Sequence, residues 1–224
     1  MNILGIDTST DICSVGLAGH EGLISEYLLR QGYIHAERLP EAVSFVLHAA
    51  STGFKHIDAI AVTSGPGSFT GLRIGIAFAK GLAAGQNIPL IKIPTMDCFI
   101  YSVPMLALYA CVLVRARKGE FYYQRYIQKF NGWTPDSKTQ IYREDDLLPM
   151  LEQYRDSIVS GNLTREMKIK IQRSAPEVKI IDPISLRCFG SAAALMGVER
   201  FKKGETILPE DLAPIYLSKF LGAG

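Results

Sequence analysis

The sequence has no long uninterrupted apolar run. Its most hydrophobic stretch, Phe99 to Val114, is broken by Ser102 and Pro104 and falls short of the roughly 20 residues that a spanning helix needs, so it reads as buried core. Cysteine is scarce, four in 224 residues. Cys13, Cys98, Cys111 and Cys188 show no CxxC spacing, which excludes a zinc knuckle or a redox pair and leaves reduced buried thiols of the cytosolic kind. Neither sign of charge dominates: 24 Lys and Arg stand against 22 Asp and Glu, a formal net charge of +2. Any contact with nucleic acid therefore has to rest on a local patch. Met1 to Asp7 lacks the basic start and apolar core of a secretory signal, and the chain is expected to carry no cleaved leader and to be cytoplasmic. What is present in quantity is ordinary: 48% hydrophobic and 21% charged residues suit a chain that buries its core without disulfides.

Periodicity divides the chain. Asn2 to Asp7, Ile12 to Ala18 and Leu23 to Leu29 read as three consecutive strands joined by the turn formers Thr8-Ser9-Thr10-Asp11 and Gly19-His20-Glu21-Gly22, an antiparallel meander. From His35 the period becomes helical, with Leu39, Ala42, Val43, Val46, Leu47 and Ala50 on one face. Ile57 to Thr63 is a strand, Ser68 caps a helix from about Phe69 to Ala84 ended by Gly85, Ile88 to Ile93 is a further strand, and Pro94-Thr95 opens another helix. Strands followed by strands and helices in alternation predict an α/β unit with a mixed sheet, antiparallel at one edge and parallel where helices cross over. Beyond residue 100 the pattern weakens to a hairpin, Ala110 to Arg115 and Glu120 to Phe130, a short strand at Ser157 to Ser160, and a helix from Ser191 to Lys203. We expect a boundary between a first lobe at 1–99 and a smaller second lobe at 100–224. No internal sequence repeat is visible.

Several segments have the residue types of a site. Asp7-Thr8-Ser9-Thr10 places a carboxylate and three hydroxyls at a strand end, groups that suit a phosphate and its metal ion, although the same residues also close hairpins as Asx or Ser/Thr turns. Ser64-Gly65-Pro66-Gly67-Ser68-Phe69-Thr70-Gly71 is a glycine-rich loop at a helix start. It offers either an anion site or room for close packing, and it matches neither the P-loop nor the dinucleotide fingerprint. Gly67, Gly71, Gly75 and Ala79 leave one side of the helix almost bare, so something is expected to lie very close to it. His35-Ala36-Glu37 has the first half of a zinc deaminase signature without the Pro-Cys-x-x-Cys half, and no metal site is expected. Arg115, Arg117, Lys118, Arg125 and Lys129 interleave with Phe121, Tyr122, Tyr123 and Tyr126, a mixture that suits either an RNA-facing surface or a hairpin whose aromatics face the core. No nucleophile comes with a base partner, and no catalytic residue is assigned.

Five segments together carry a resemblance: Ile3-Leu4-Gly5-Ile6-Asp7-Thr8-Ser9-Thr10, His35-Ala36-Glu37-Arg38-Leu39, Thr63 through Gly75, Ala116-Arg117-Lys118-Gly119-Glu120, and Pro214-Ile215-Tyr216-Leu217. In that order they resemble the TsaB family, also called YeaZ, along the whole chain. The resemblance implies a two-lobe, actin-like and Hsp70-like (ASKHA) α/β fold on ribonuclease-H-like cores. It also implies a non-catalytic accessory role in making N6-threonylcarbamoyladenosine (t6A) at position 37 of tRNA. The implied partners are a TsaD-type catalytic subunit, which transfers the threonylcarbamoyl group, a TsaE-type ATPase in the same complex, tRNA reached through that complex, and a second copy of the chain in a homodimer when alone.

The resemblance further implies that contact with a partner uses the two first-lobe helices. His35, Leu39 and Val43 on one and Gly71, Leu72, Gly75, Ile76 and Ala79 on the other are the expected interface. Asp7, Thr8 and Ser9 are a vestigial nucleotide site, and ATP or ADP at the partner interface is the one cofactor expected. TsaD-type relatives carry two metal-binding histidines four residues apart where Ile93 to Tyr101 has none, and no Gly-Gly pair suited to adenosine follows Gly190. Arg115 and Ser218 depart from the family pattern, which has an acidic and a basic residue there. The competing reading is a small-molecule kinase or ATPase of the same superfamily, with Asp7 at the phosphate.

Overall fold

The computed structural model describes residues 1–30, 35–154, 156–182 and 189–217; Cys188 and Ser218 lie outside them. Contacts divide the chain into two compact units, one made of the first 98 residues with the stretch around Phe189–Lys202, the other running from Phe99 to the start of that stretch and adding the carboxyl-terminal end.

In the first unit, β1 (Asn2–Asp7), β2 (Ile12–Gly19) and β3 (Gly22–Arg30) form the expected meander. β4 (Ala59–Thr63) and β5 (Leu90–Ile93) extend the sheet in parallel to β1, giving the order β3-β2-β1-β4-β5. Helices α1 (His35–Ala49) and α2 (Phe69–Gln86) cover one face, because the 3.6-residue spacing of Leu39, Val43, Val46, Ile76, Ala79 and Ala83 puts their apolar stripes over Leu4, Ile6, Val15, Leu17, Ile60 and Val62. The Ser68 side chain accepts from Gly71 N at the start of α2, as expected; the helix ends on Asn87 in the left-handed conformation rather than at Gly85.

After β5 come α3 (Thr95–Tyr101) and the second unit. Its sheet has β6 (Tyr109–Arg117), β7 (Glu120–Lys129), β8 (Gly132–Pro135), β9 (Gln140–Arg143), β10 (Ser157–Gly161) and β11 (Lys179–Ile181), with α4 (Glu144–Glu152) and α5 (Arg165–Ser174) between strands. The order is β11-β10-β6-β7-β8, and β9 pairs with the first half of β7 while β8 pairs with the second. With β8 and β9 together standing in for one broken strand, this order repeats that of the first sheet, a structural duplication that no sequence repeat announces.

α6 (Phe189–Lys202) follows β11 in the chain but packs on β1, β2 and β4 of the first sheet. A division at 99/100 assigned this helix to the second lobe; the chain crosses between units again after β11, so α6 belongs with the first. The approach is close enough that a side chain on Gly5 would overlap the Gly190 carbonyl, and one on Gly16 would meet the Ser191 backbone at 2.5 Å. Gly190 N donates to Ser14 Oγ at 2.9 Å across this contact. β1 and β2 are consequently buried on both faces.

Candidate functional site

The Asp7–Thr10 turn and the glycine-rich segment after β4 are two halves of one arrangement. Thr8 Oγ1 donates to the Gly71 carbonyl at 2.7 Å, Ser68 N donates to the Ser9 carbonyl at 2.7 Å, and Ser9 Oγ donates to Asp7 Oδ1 at 2.7 Å. A Cβ at Gly67 would overlap the Ser9 carbonyl; at Gly71 or Gly75 it would overlap the Thr8 carbonyl or hydroxyl. Of the two readings open for this segment, close packing accounts for the glycines: they let α2 lie directly on the β1–β2 turn. The body that occupies the bare side of α2 is Thr8 of the same chain.

This arrangement leaves Asp7 in an unusual position. It is 0% exposed, and its Oδ2 has no hydrogen-bond partner. Burial pushes the carboxyl above its ordinary range. Ser9 through its hydroxyl, the nearby Thr63 hydroxyl, Ser9 N and the charge of His35 oppose the shift. The Thr63 hydroxyl makes no hydrogen bond of standard geometry itself. His35 opens α1, is 5% exposed and sets Nε2 at 3.0 Å from the Thr10 carbonyl. The structure thus brings Asp7, Thr8, Ser9 and His35 to one turn; of its three hydroxyls, those of Thr8 and Ser9 donate within the chain, and Thr10 Oγ1 accepts from Ile12 N at 3.2 Å. Asp7 Oδ2, the Thr63 hydroxyl and His35 Nδ1 are all buried there without a hydrogen-bond partner.

The eight positions expected at the partner interface are all buried within this chain. Leu39, Val43, Ile76 and Ala79 belong to the core against the first sheet, Leu72 is 1% exposed, and His35, Gly71 and Gly75 meet the Thr8–Thr10 turn. The apolar periodicity that singled them out is the core signal, so it selected the inward faces. The outward faces carry different residues. On α1, Phe45 is 54% exposed beside the Tyr27 ring at 5.5 Å. On α2, Thr70, Arg73, Ala77, Gly81 and Ala84 are exposed, Arg73 stacks over Phe69 at 3.7 Å, and a side chain on Gly81 or Gly85 would touch nothing within 4 Å.

In the second unit Phe121 and Tyr123 pack in the core and Tyr122 and Tyr126 are buried on the other face of β7, so these aromatics offer no stacking platform. Arg125 is tied to Asp136 at 2.7 Å and to the Tyr154 hydroxyl, and Arg117 to Glu120 at 2.6 Å. Burial pushes the Cys111 thiol up and the Tyr123 phenol up, so neither ionises readily near neutral pH. Among the described residues no group of three His, Cys, Asp or Glu side chains is placed to hold a metal ion, and no helix is long and apolar enough to cross a membrane.

Comparison with known proteins places this architecture. Residues 31–142 match the family model described as TsaD, tRNA N6-adenosine threonylcarbamoyltransferase. The chain is 27% identical over 235 aligned positions to the tRNA threonylcarbamoyladenosine biosynthesis protein TsaB of Escherichia coli, covering 97% of this chain and 94% of that one. It is 30% identical to the Bacillus subtilis protein of the same name over 68% of this chain and 67% of that one. A solved Pseudomonas aeruginosa structure, described as similar to peptidase YeaZ, superposes with a TM-score of 0.81 at 24% identity, covering 97% of this chain and 99% of that one. The mixed sheets, the repeated strand order and this neighbour give the actin-like α/β fold class. By the residues matched and the extent of the alignments, the chain belongs to the TsaB family, the TsaD-related proteins named for tRNA threonylcarbamoyladenosine biosynthesis.

Proposed function

We propose that this chain is a non-catalytic scaffold and activator of a TsaD-type transferase in forming t6A at position 37 of tRNA, within a complex that also holds a TsaE-type ATPase. The observation that carries the reading is the engagement of the Asp7–Thr10 turn. In this chain the Thr8 hydroxyl and the Ser9 carbonyl tie the turn to the start of α2 while Ser9 Oγ engages Asp7, and that rigid α1–α2 pair presents its outer side to a partner. Phe45 supplies an apolar anchor, and Ala77, Gly81 and Ala84 let a second helix approach α2 closely. The same surface serves a second copy of the chain when the transferase is absent. ATP or ADP belongs to the contact with the TsaD-type subunit.

Reconstitution tests the role directly. In a mixture of the adenylate-forming synthase, the TsaD-type and TsaE-type proteins, tRNA and this chain, leaving out this chain should abolish t6A, and this chain alone should make none. Product formed at an unchanged rate without it overturns the proposal, and ATP turnover by the purified chain would revive the kinase or ATPase reading. The surface is tested with Phe45→Glu and Gly81→Arg, which should preserve the fold and weaken association with the TsaD-type subunit by about tenfold or more, the range of a lost interface anchor.

A further inference from the structure

The tip of the second sheet holds a cluster of cations that the scaffold role leaves unused. β6 and β7 meet there in the Arg117-Lys118-Gly119 turn, and Arg115 N donates to Asn162 Oδ1 at 2.7 Å, binding the end of β6 to the segment after β10. Glu144 N donates to the Gly119 carbonyl at 2.9 Å, and Gly119 takes a φ of 73°, so the turn is held from two sides. Arg143 pairs in register with Glu120, and Arg165 opens α5 three residues after Asn162. Arg115, Arg117, Lys118, Arg143 and Arg165 are all exposed.

Pairing separates these cations. Glu120 is taken by Arg117, and Glu144 and Glu166 are both taken by Lys170. Among the described residues Arg115, Lys118, Arg143 and Arg165 have no ion-pair partner. The nearest remaining acids, Asp145 and Asp146, sit on the first turn of α4, where the exposed amide ends of the helix favour them.

We propose that this rim contacts the phosphodiester backbone of RNA, which, granted the function proposed above, is the tRNA held by the complex. Three features select that ligand. The unpaired cations are spread over a turn, a strand end and a helix start, which suits a line of phosphates better than one compact anion. The aromatic rings at this end of the hairpin, Phe121, Tyr122 and Tyr123, are buried, so the contact positions RNA without reading bases. The tip also carries no exposed large apolar side chain to anchor an acidic protein segment.

The test uses the assembled complex with tRNA and measures affinity against salt. Arg115→Glu with Lys118→Glu should weaken tRNA binding by about tenfold or more at about 0.1 M salt and flatten the log–log salt dependence by about one unit for each phosphate no longer engaged. Arg143→Gln with Arg165→Gln should move both readouts the same way by less, and guards against misfolding of the charge-reversed turn. Lys129→Glu, at the opposite end of β7, should move neither. Unchanged affinity and slope in both double variants, with the complex intact, overturn the inference while the scaffold role stands. Loss of binding to the TsaD-type subunit with tRNA affinity retained overturns it in favour of an acidic protein face. If leaving out this chain does not affect t6A formation, the proposed function fails instead, whatever the salt slope.

Discussion

The two units run through the same strand order and fill it differently. In the first, helices lie on both faces of the sheet, so β1 and β2 are buried throughout and the strand–helix contacts are made through glycine and serine, at Gly5, Ser14, Gly16, Gly190 and Ser191. In the second, α4 and α5 cover one face through Leu147, Leu151, Met167 and Ile171, β7 mixes buried with partly exposed residues, and polar anchors such as Trp133 Nε1 to the Val103 carbonyl at 2.8 Å hold its edge. One topology therefore supports a core in which helix and sheet meet through glycine, and a sheet whose tight glycine, Gly161 against the Leu113 carbonyl, lies between neighbouring strands and whose tip is free to carry charge. The difference also assigns labour: the tight unit holds the α1–α2 pair rigid, and the polar unit presents the basic rim.

Substitutions should separate the two regimes, and the largest effect belongs to the tight unit. Gly71→Ala drives a methyl into the Thr8 carbonyl and should cost more than about 3 kcal/mol, at the extreme of single-residue effects, seen as loss of the cooperative thermal transition; Gly132→Ala in the second unit, with nothing within 4 Å but a φ of 118°, should cost about 1 kcal/mol from backbone strain alone. A Gly71 variant as stable as the parent would dissolve the contrast. Next come Leu39→Ala and Leu147→Ala. Both side chains are 0% exposed, and both should cost about 2–5 kcal/mol, the first toward the upper end because helices on both faces leave its site less able to collapse. Denaturant titration ranks the pair, and the reverse order would contradict the difference in packing.

Asp7→Asn should stabilise the protein. The native carboxyl is pushed up by burial, so the folded state holds its proton at a pH where the unfolded chain has lost it. Stability then falls as pH rises from the ordinary carboxylate range through the raised native value, and stays level above it. The Asn variant lacks this loss, so its advantage should be near zero at low pH and grow as pH rises through the raised native value, at about 2–4 °C in Tm for each kcal/mol recovered. An advantage independent of pH would mean that the carboxyl is not the cause. The smallest effect is expected at Gly85→Ala on the open side of α2, a gain of about 0.5–1 kcal/mol from helix propensity. The same change at Gly81 should stabilise the isolated chain equally, yet weaken partner binding if the second helix comes as close as proposed.

Much of the first unit was legible. Its meander, α1, α2 and β5 follow from apolar runs in β1, β2 and β5, which are buried along nearly their whole length, and from the 3.6-residue period of the amphipathic α1 and α2. β8 and β9 have four residues each and β11 three, too few to show a period, so nothing in the sequence marks the second sheet as a duplicate of the first. The candidate site was half legible. Asp7, Thr8, Ser9 and the glycine-rich segment stand out as belonging to something unusual, but their chemistry stays open in the sequence, because a tight turn and an anion cradle require the same residues. The positions expected at the interface fall on the inward sides of α1 and α2: Ile76, 5% exposed, would report on folding if changed to Arg.

By itself the sequence determined the elements of the first unit, its α/β class, and the family carried by the segments around Asp7, Gly71 and Gly119. Those follow from local propensity, hydrophobic period and motif, which act over a few residues at a time. Only the tertiary structure decided that α6 returns to the first sheet, that Thr8 fills the bare side of α2, and that the tyrosines of β7 are buried while Arg115 and Lys118 stay outside. Each of those outcomes depends on which surfaces meet across dozens of residues of chain or across a sheet, and there the competition for burial is won by the fold as a whole rather than by any segment of it.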